Sequence, residues 1–362
     1  MARRLWRSFD WVLLGTTILL IIYGVAMINS ATRGTEDLAN LWQRQALLAV
    51  SGLVVMFLVA AFDYRFYENL HRFLYVVMIT LLVIVFVVGG MTQGVQRWLG
   101  ASAIQPSELA KIVVVIGLAR LLAHHDGEMN SLRYLIISLG YVLLPMVLVY
   151  LQPNLSTSLM LGAIWLAMIL MAGVRLVHLG ALAIAGTLAS PLIWLTLQDY
   201  MRERIFLFLD PQSNPDNYYN VQQALISIGS GGWLGKGFGS GTQSQLRFLR
   251  VRHTDFVFSV ISEELGLLGA IVLFALFAIL LWRILRVASI AQDPFGRLIC
   301  VGTAIIIFVQ TGINIGMNLG LLPVTGLPLP FVSYGGSSLW TFLLSLGLVE
   351  SVAMRHKKLD FE

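Results

Sequence analysis

The chain is poor in charge. Only 12% of its 362 residues are Asp, Glu, Lys or Arg, against about 25% in a soluble domain, and 57% are hydrophobic. A water-soluble globular fold is thereby excluded. Cysteine is nearly absent: one residue, Cys300, lies in an apolar run, so no intramolecular disulfide can form and no redox compartment can be read. The zinc helix signature His-Glu-x-x-His and the nucleophile elbow Gly-x-Ser-x-Gly are missing. So are repeats, heptads and low-complexity tails. The net charge of +5 is spread along the chain and fits membrane topology better than nucleic-acid binding. The start, MARRLWRSFDW, is basic, but the apolar run after it is span-length and has no small-residue cleavage site. It is expected to be a first membrane helix, not a cleaved leader.

What is present in their place is a series of long uncharged intervals. A membrane helix needs about 20 mostly apolar residues. The expected spans are Trp11–Thr32, Gln45–Phe62, Phe73–Gln96, Pro106–Leu122, Leu176–Gln198 and Phe258–Trp282. Two intervals are too long for one helix each. Tyr134–Val174 is divided at Gln152-Pro153-Asn154, and Leu298–Val349 at the turn-rich stretch Gly320–Gly336. The expectation is one all-α polytopic membrane domain, residues 1–362, of about ten helices. Basic residues such as Arg3, Arg4, Arg65, Arg72, Arg283 and Arg286 gather on one face, and the short loops of the other hold Arg33, Arg44 and Arg97. The positive-inside rule then puts both termini in the cytoplasm. The long loop 199–254 falls outside; its apolar pieces Ile205–Leu209 and Ala224–Ile228 suit short amphipathic helices at the interface.

Ionisable residues inside such a protein are costly and are functional by default. Glu108 and Lys111 stand three apart after Pro106-Ser107, so they share a helix face, either as a structural ion pair or as a polar site in a cavity. Arg97-Trp98 reads first as an interfacial anchor, second as a phosphate ligand. The run Gly229–Gly241 holds Lys236, but Gly237 follows it where a P-loop needs Ser or Thr. No nucleotide site is expected. The loop is either mobile or packed closely enough to present backbone N–H groups and Lys236 to an anionic head group. The stretch Leu322–Ser338 cannot be a regular helix, and is expected to fold back beside the site as a re-entrant segment.

The densest chemistry lies in Leu246–Gly266. His253-Thr254-Asp255 stands where the polar loop enters a membrane helix. Thr254 or Asp255 would serve as an N-cap, but capping leaves Glu263 and Glu264 unexplained inside the apolar run that follows. Asp255 is therefore the candidate working group. Glu263 and Glu264 are expected to support it or line a cavity.

The segments RWLG (Arg97–Gly100), QPSELAKI (Gln105–Ile112), HTDFVFSVISEELG (His253–Gly266) and GLPLPFVSYGGSS (Gly326–Ser338) together resemble the SEDS family (shape, elongation, division and sporulation), and its rod-shape members most. The resemblance runs nearly the whole chain. It implies a ten-helix peptidoglycan glycosyltransferase of the bacterial cytoplasmic membrane that polymerises lipid II on the outer face. It also implies a class B penicillin-binding protein as transpeptidase partner. Asp255 matches the family's essential aspartate, Glu108 and Lys111 its polar pair, and Arg97 a recurrent outside arginine. Two departures stand out: Arg250-Val251 replaces the usual Pro-Glu, and Asn154 the usual aspartate of QPDLGT.

This reading and the residues agree on chemistry. Asp255 would act as general base on the acceptor hydroxyl. Arg97, Lys111 or Lys236, or a divalent cation (magnesium or manganese), would stabilise the departing diphosphate. The reaction inverts the anomeric centre, and no organic cofactor is expected. The alternatives are a lipid II transporter and a non-catalytic scaffold.

Overall fold

The computed structural model describes residues 6–35, 38–88, 90–92, 95–98, 105–125, 131–211 and 214–356, with the side chains of 7, 88, 90–98, 193 and 215–217 outside the description. Helices α1 (Trp11–Thr32), α2 (Leu41–Ala61), α3 (Tyr64–Val88), α4 (Pro106–His124), α5 (Leu132–Leu151), α6 (Leu155–Met171) and α7 (Leu176–Thr196) form the first part. Three short helices follow in the long loop: α8 (Asp199–Leu209), α9 (Pro215–Gly231) and α10 (Thr242–Gln245). The bundle closes with α11 (Val257–Ile290), α12 (Pro294–Asn318) and α13 (Gly336–Met354). Seven of these helices are long and apolar enough to cross a membrane by themselves. Helix α4 is too charged for that description, α6 is apolar but shorter, and α7 is apolar over its described residues Leu176–Leu192.

Burial orders the bundle from the inside out. The apolar window of α13 is 89% buried and that of α12 72%, against 17% for α3. Helices α4, α12 and α13 are thus the centre, and most of α7 faces outward. In lipid, close approach of backbones replaces the hydrophobic drive between helices. Accordingly a methyl group on Gly347 of α13 would stand 2.7 Å from the Met56 carbonyl oxygen of α2. The end of the bundle away from Asp255 is held by ions: Asp10 caps α1 by accepting from Val12 and Leu13 N–H groups, and pairs with Arg283 at 2.6 Å.

Three local expectations need correction. The third span begins at Tyr64, not Phe73: its charged first turns project from the bundle end and pair there, Arg65 with Asp293 and Glu68 with Arg120. It also stops at Val88, and Gly90–Thr92 pairs with Val95–Trp98 as an antiparallel hairpin, β1 and β2. The sequence pair Gly89-Gly90 ends the helix because glycine is a poor helix former.

The third correction concerns α11. Gly266 adopts φ +65°, ψ −160°, which breaks it into two helices. Such a break frees backbone groups that must find partners in a membrane. They find them in the glycine run: Lys236 and Gly237 N–H donate to the carbonyls of Glu263 and Glu264, each at 2.9 Å, while Leu267 and Leu268 N–H donate to those of Gly232 and Trp233. The run is therefore closely packed, the second of its two expected forms. A methyl on Gly235 would sit 2.2 Å from the Glu264 carbonyl oxygen, and one on Gly231 1.8 Å from that of Ser262.

Candidate active site

Asp255 sits in the tight turn 251–256 that precedes α11, with Phe256 as N-cap. The turn is pinned by its main chain. The Asp255 carbonyl accepts from the carboxamides of Asn314 (3.1 Å) and Asn318 (2.9 Å) on α12. The Thr254 carbonyl accepts from the Ser333 hydroxyl at 2.5 Å, and that of His253 from the Tyr334 N–H at 2.9 Å. Thus the 319–335 segment does fold back beside Asp255. A methyl on Gly326 would stand 3.8 Å from Asp255 Oδ2.

The surroundings tune the carboxyl. Burial pushes Asp255 up to about 6, against the opposing pull of the Arg204 charge and a bond from the Thr254 hydroxyl. His253 is driven the other way, toward the neutral imidazole, by burial and by Arg252. Its Nδ1 is buried without a hydrogen-bond partner. Arg252 is itself buried and ties the turn to the end of α1, donating to the Ala31 carbonyl and, at 3.0 Å, to the Thr35 hydroxyl.

Of the basic groups expected at the diphosphate, Lys111 and Lys236 have partners within the protein. Lys111 is fully buried and its ammonium is held by Glu108 Oε2 and Gln310 Oε1, both at 2.8 Å, with the Phe342 ring 5.5 Å away. Lys236 pairs with Glu263 at 2.9 Å and with Thr242. Arg97 lies on strand β2, and its side chain is outside the described residues. Among the described residues a cation that acts on Asp255 is Arg204 of α8, which sequence reasoning missed. Its guanidinium lies over the Tyr200 ring at 5.7 Å and donates to the Thr325 carbonyl at 3.5 Å.

Glu263 and Glu264 have structural partners. Glu263 accepts from Lys236, the Thr242 hydroxyl and the Gln243 and Ser244 N–H groups. Glu264 accepts from Ser30 and Ser244 hydroxyls and the Gly239 N–H. Together they bind the 236–245 strap to α11. Asn154, at the position of the usual aspartate, caps α6 by accepting from Thr157 N–H and donates to Ser107.

The described donor set offers no cage for a magnesium or manganese ion held by the protein alone. Among the described residues no three His, Cys, Asp or Glu side chains converge. Magnesium is ordinarily held by one or two carboxylates together with substrate phosphates; here the protein would offer Asp255 alone.

The chain is similar over nearly its whole length to known proteins. A model of the cell cycle protein family that groups FtsW, RodA and SpoVE matches residues 8–358. The peptidoglycan glycosyltransferase MrdB of Escherichia coli K12 is 41% identical, the match covering 97% of this chain and 96% of that protein. A chain from a peptidoglycan synthase complex that coordinates polymerisation and crosslinking superposes with a TM-score of 0.82 at 31% identity, over 96% of this chain and 98% of that one. The rod shape determining protein RodA of Thermus thermophilus superposes at 0.72 and 29% identity, over 98% and 99%. The chain belongs to the FtsW, RodA and SpoVE family of cell cycle proteins.

Proposed function

We propose that this protein is a peptidoglycan glycosyltransferase that polymerises lipid II, with Asp255 as general base. The observation that carries the reading is a carboxylate held by its own main chain, tuned to about 6 and facing one arginine, in a turn where a membrane helix begins. A base with a pKa near the working pH is efficient. The reading is supported by relatives that are named for this activity.

In the reaction the 4-hydroxyl oxygen of the acceptor sugar attacks the donor's anomeric carbon as its proton passes to Asp255. The carbon–oxygen bond to the diphosphate breaks, and the lipid diphosphate leaves with the electron pair. Attack from the face opposite the leaving group inverts the centre. Arg204, a guanidinium suited to phosphate oxygens, stabilises the departing charge. Neutral His253 offers Nδ1 as an acceptor for a substrate hydroxyl.

The two faces of the membrane follow from charge. Arg283 marks the inner boundary, and the unbroken helix from Gly266 to Arg283 rises about 25 Å at 1.5 Å per residue, close to the hydrocarbon thickness. Asp255 then lies on the outer side of that helix, toward the sugars carried on a membrane diphosphate. Both termini are cytoplasmic. A class B penicillin-binding protein is the crosslinking partner, in line with the polymerising and crosslinking complex that this fold matches.

Purified protein supplied with lipid II tests the reading. Glycan strands should form, and Asp255→Asn should abolish them while the protein stays folded. Movement of lipid II between leaflets without polymer would instead establish the transporter. Normal cell shape supported by Asp255→Ala would establish the scaffold.

A further inference from the structure

Helix α12 carries three carboxamides at intervals of four residues, Gln310, Asn314 and Asn318, each fully buried in an otherwise apolar helix. An interval of four puts them on one face. A buried carboxamide is costly unless its polar atoms are paired, and here they are paired to three separate parts of the molecule. Gln310 accepts from Lys111 and donates to the Pro328 carbonyl, both at 2.8 Å. Asn314 donates to the Leu327 carbonyl (2.8 Å) and to that of Asp255 (3.1 Å). Asn318 donates to the Asp255 carbonyl at 2.9 Å, and its oxygen accepts from the Ser259 hydroxyl at 2.6 Å.

The same stripe therefore grips α4 through Lys111, the re-entrant segment through residues 327 and 328, and the turn that carries Asp255. Helix packing alone would be satisfied by apolar side chains, and buried polar groups do not as a rule add net stability over apolar ones. What the carboxamides add is register: they fix Asp255 relative to Gly326 on one side and the Glu108–Lys111 pair on the other. We infer that Asn314 and Asn318 are positioning residues, which set the height and rotation of Asp255 through its backbone carbonyl, with Lys111–Gln310 as the anchor of the stripe. The inference rests on Asp255 being the base.

Asn318→Asp keeps the shape and the acceptor for Ser259 but replaces the N–H that reaches Asp255. Displacing a reacting group by about 1 Å costs on the order of 100-fold in rate. The expected result is a fall in kcat of roughly 10- to 100-fold, with KM for lipid II within about threefold. Ser138→Ala is the control, since it removes a buried bond of similar kind, to Trp165 Nε1 at 3.1 Å, between α5 and α6. It should lower the melting temperature comparably and leave kcat unchanged. Unchanged kcat in Asn318→Asp beside an inactive Asp255→Asn overturns the positioning role and leaves the base assignment standing. An active Asp255→Asn overturns the base assignment and the positioning role together.

Discussion

The pair Lys236–Glu263 should couple the outer loop to α11 strongly enough to measure. Glu263 is fully buried, and its carboxylate gathers an ammonium at 2.9 Å, one hydroxyl and two backbone N–H groups. Lys236→Met leaves that carboxylate in place with one cation fewer. Breaking a buried pair from one side costs about 3–5 kcal/mol. The lower end applies, because three neutral donors still solvate the charge and Lys236 is itself partly exposed. We expect about 3 kcal/mol for Lys236→Met and about 2 kcal/mol for Glu263→Gln, which retains one acceptor but brings an NH2 against existing donors. With both replaced, the loss should fall short of the sum by about 1–3 kcal/mol. Thermal unfolding in detergent micelles gives the cycle. Limited proteolysis at Arg247 reports whether the 236–245 strap has come loose. Additivity of the two losses within about 0.5 kcal/mol would refute the pairing and return Lys236 to the pool of free cations.

Other outcomes follow from the same geometry. Glycan polymerisation should decline as pH falls through about 6, because Asp255 accepts a proton only as the carboxylate; initial rates against pH in the presence of lipid II check this. Stability should move the other way. Folding raises this pKa, so the folded state binds more protons between about 4 and 6, and Asp255→Asn should flatten the gain in stability on acidification across that window. Arg204→Gln should lower kcat roughly 100-fold, as does removal of one donor from other charge-stabilising sites, and product formation under saturating lipid II measures it. Gly235→Ala combines a φ of +75° with a 2.2 Å collision at the Glu264 carbonyl and should cost at least about 2 kcal/mol, read as a lower melting temperature.

Much of this architecture is legible in the sequence, and the reasons for the rest are physical. Span length and absence of charge locate the helices, since in lipid those two properties set what can cross. Gln152-Pro153-Asn154 separates α5 from α6 where expected, and the proline-rich stretch after Asn318 turns back to the Asp255 turn. The strands Gly90–Thr92 and Val95–Trp98 are hidden because they follow the apolar run of α3 with no charge before Arg97, so they read as its continuation; the paired glycines and the two glutamines hint at the change. The break at Gly266 is hidden for another reason. One glycine in a long apolar helix is common, and what makes this one a break is Gly231–Gly237, some thirty residues earlier. Lys236 looks free in sequence because its partner is chosen by that contact. The carboxamides of α12 did carry a signal, polar residues every four positions in an apolar run, but their targets, Asp255 and residues 327–328, are set by tertiary structure alone.

The spliced backbone at Gly266 bears on how the chain is made. Neither partner is complete alone: without residues 232–237, α11 would carry open carbonyls and N–H groups at the edge of the hydrocarbon, and without α11 the glycine run has no structure to follow. The run precedes α11 in the chain, and on the proposed topology it must reach the outer face before α11 can dock on it. On that topology the helix that follows the Asp255 turn is completed only once residues 232–237 have met residues 263–268. A chain arrested before that meeting would hold its first seven helices and the loop, with α11 unclosed and, on the proposed reading, no working site.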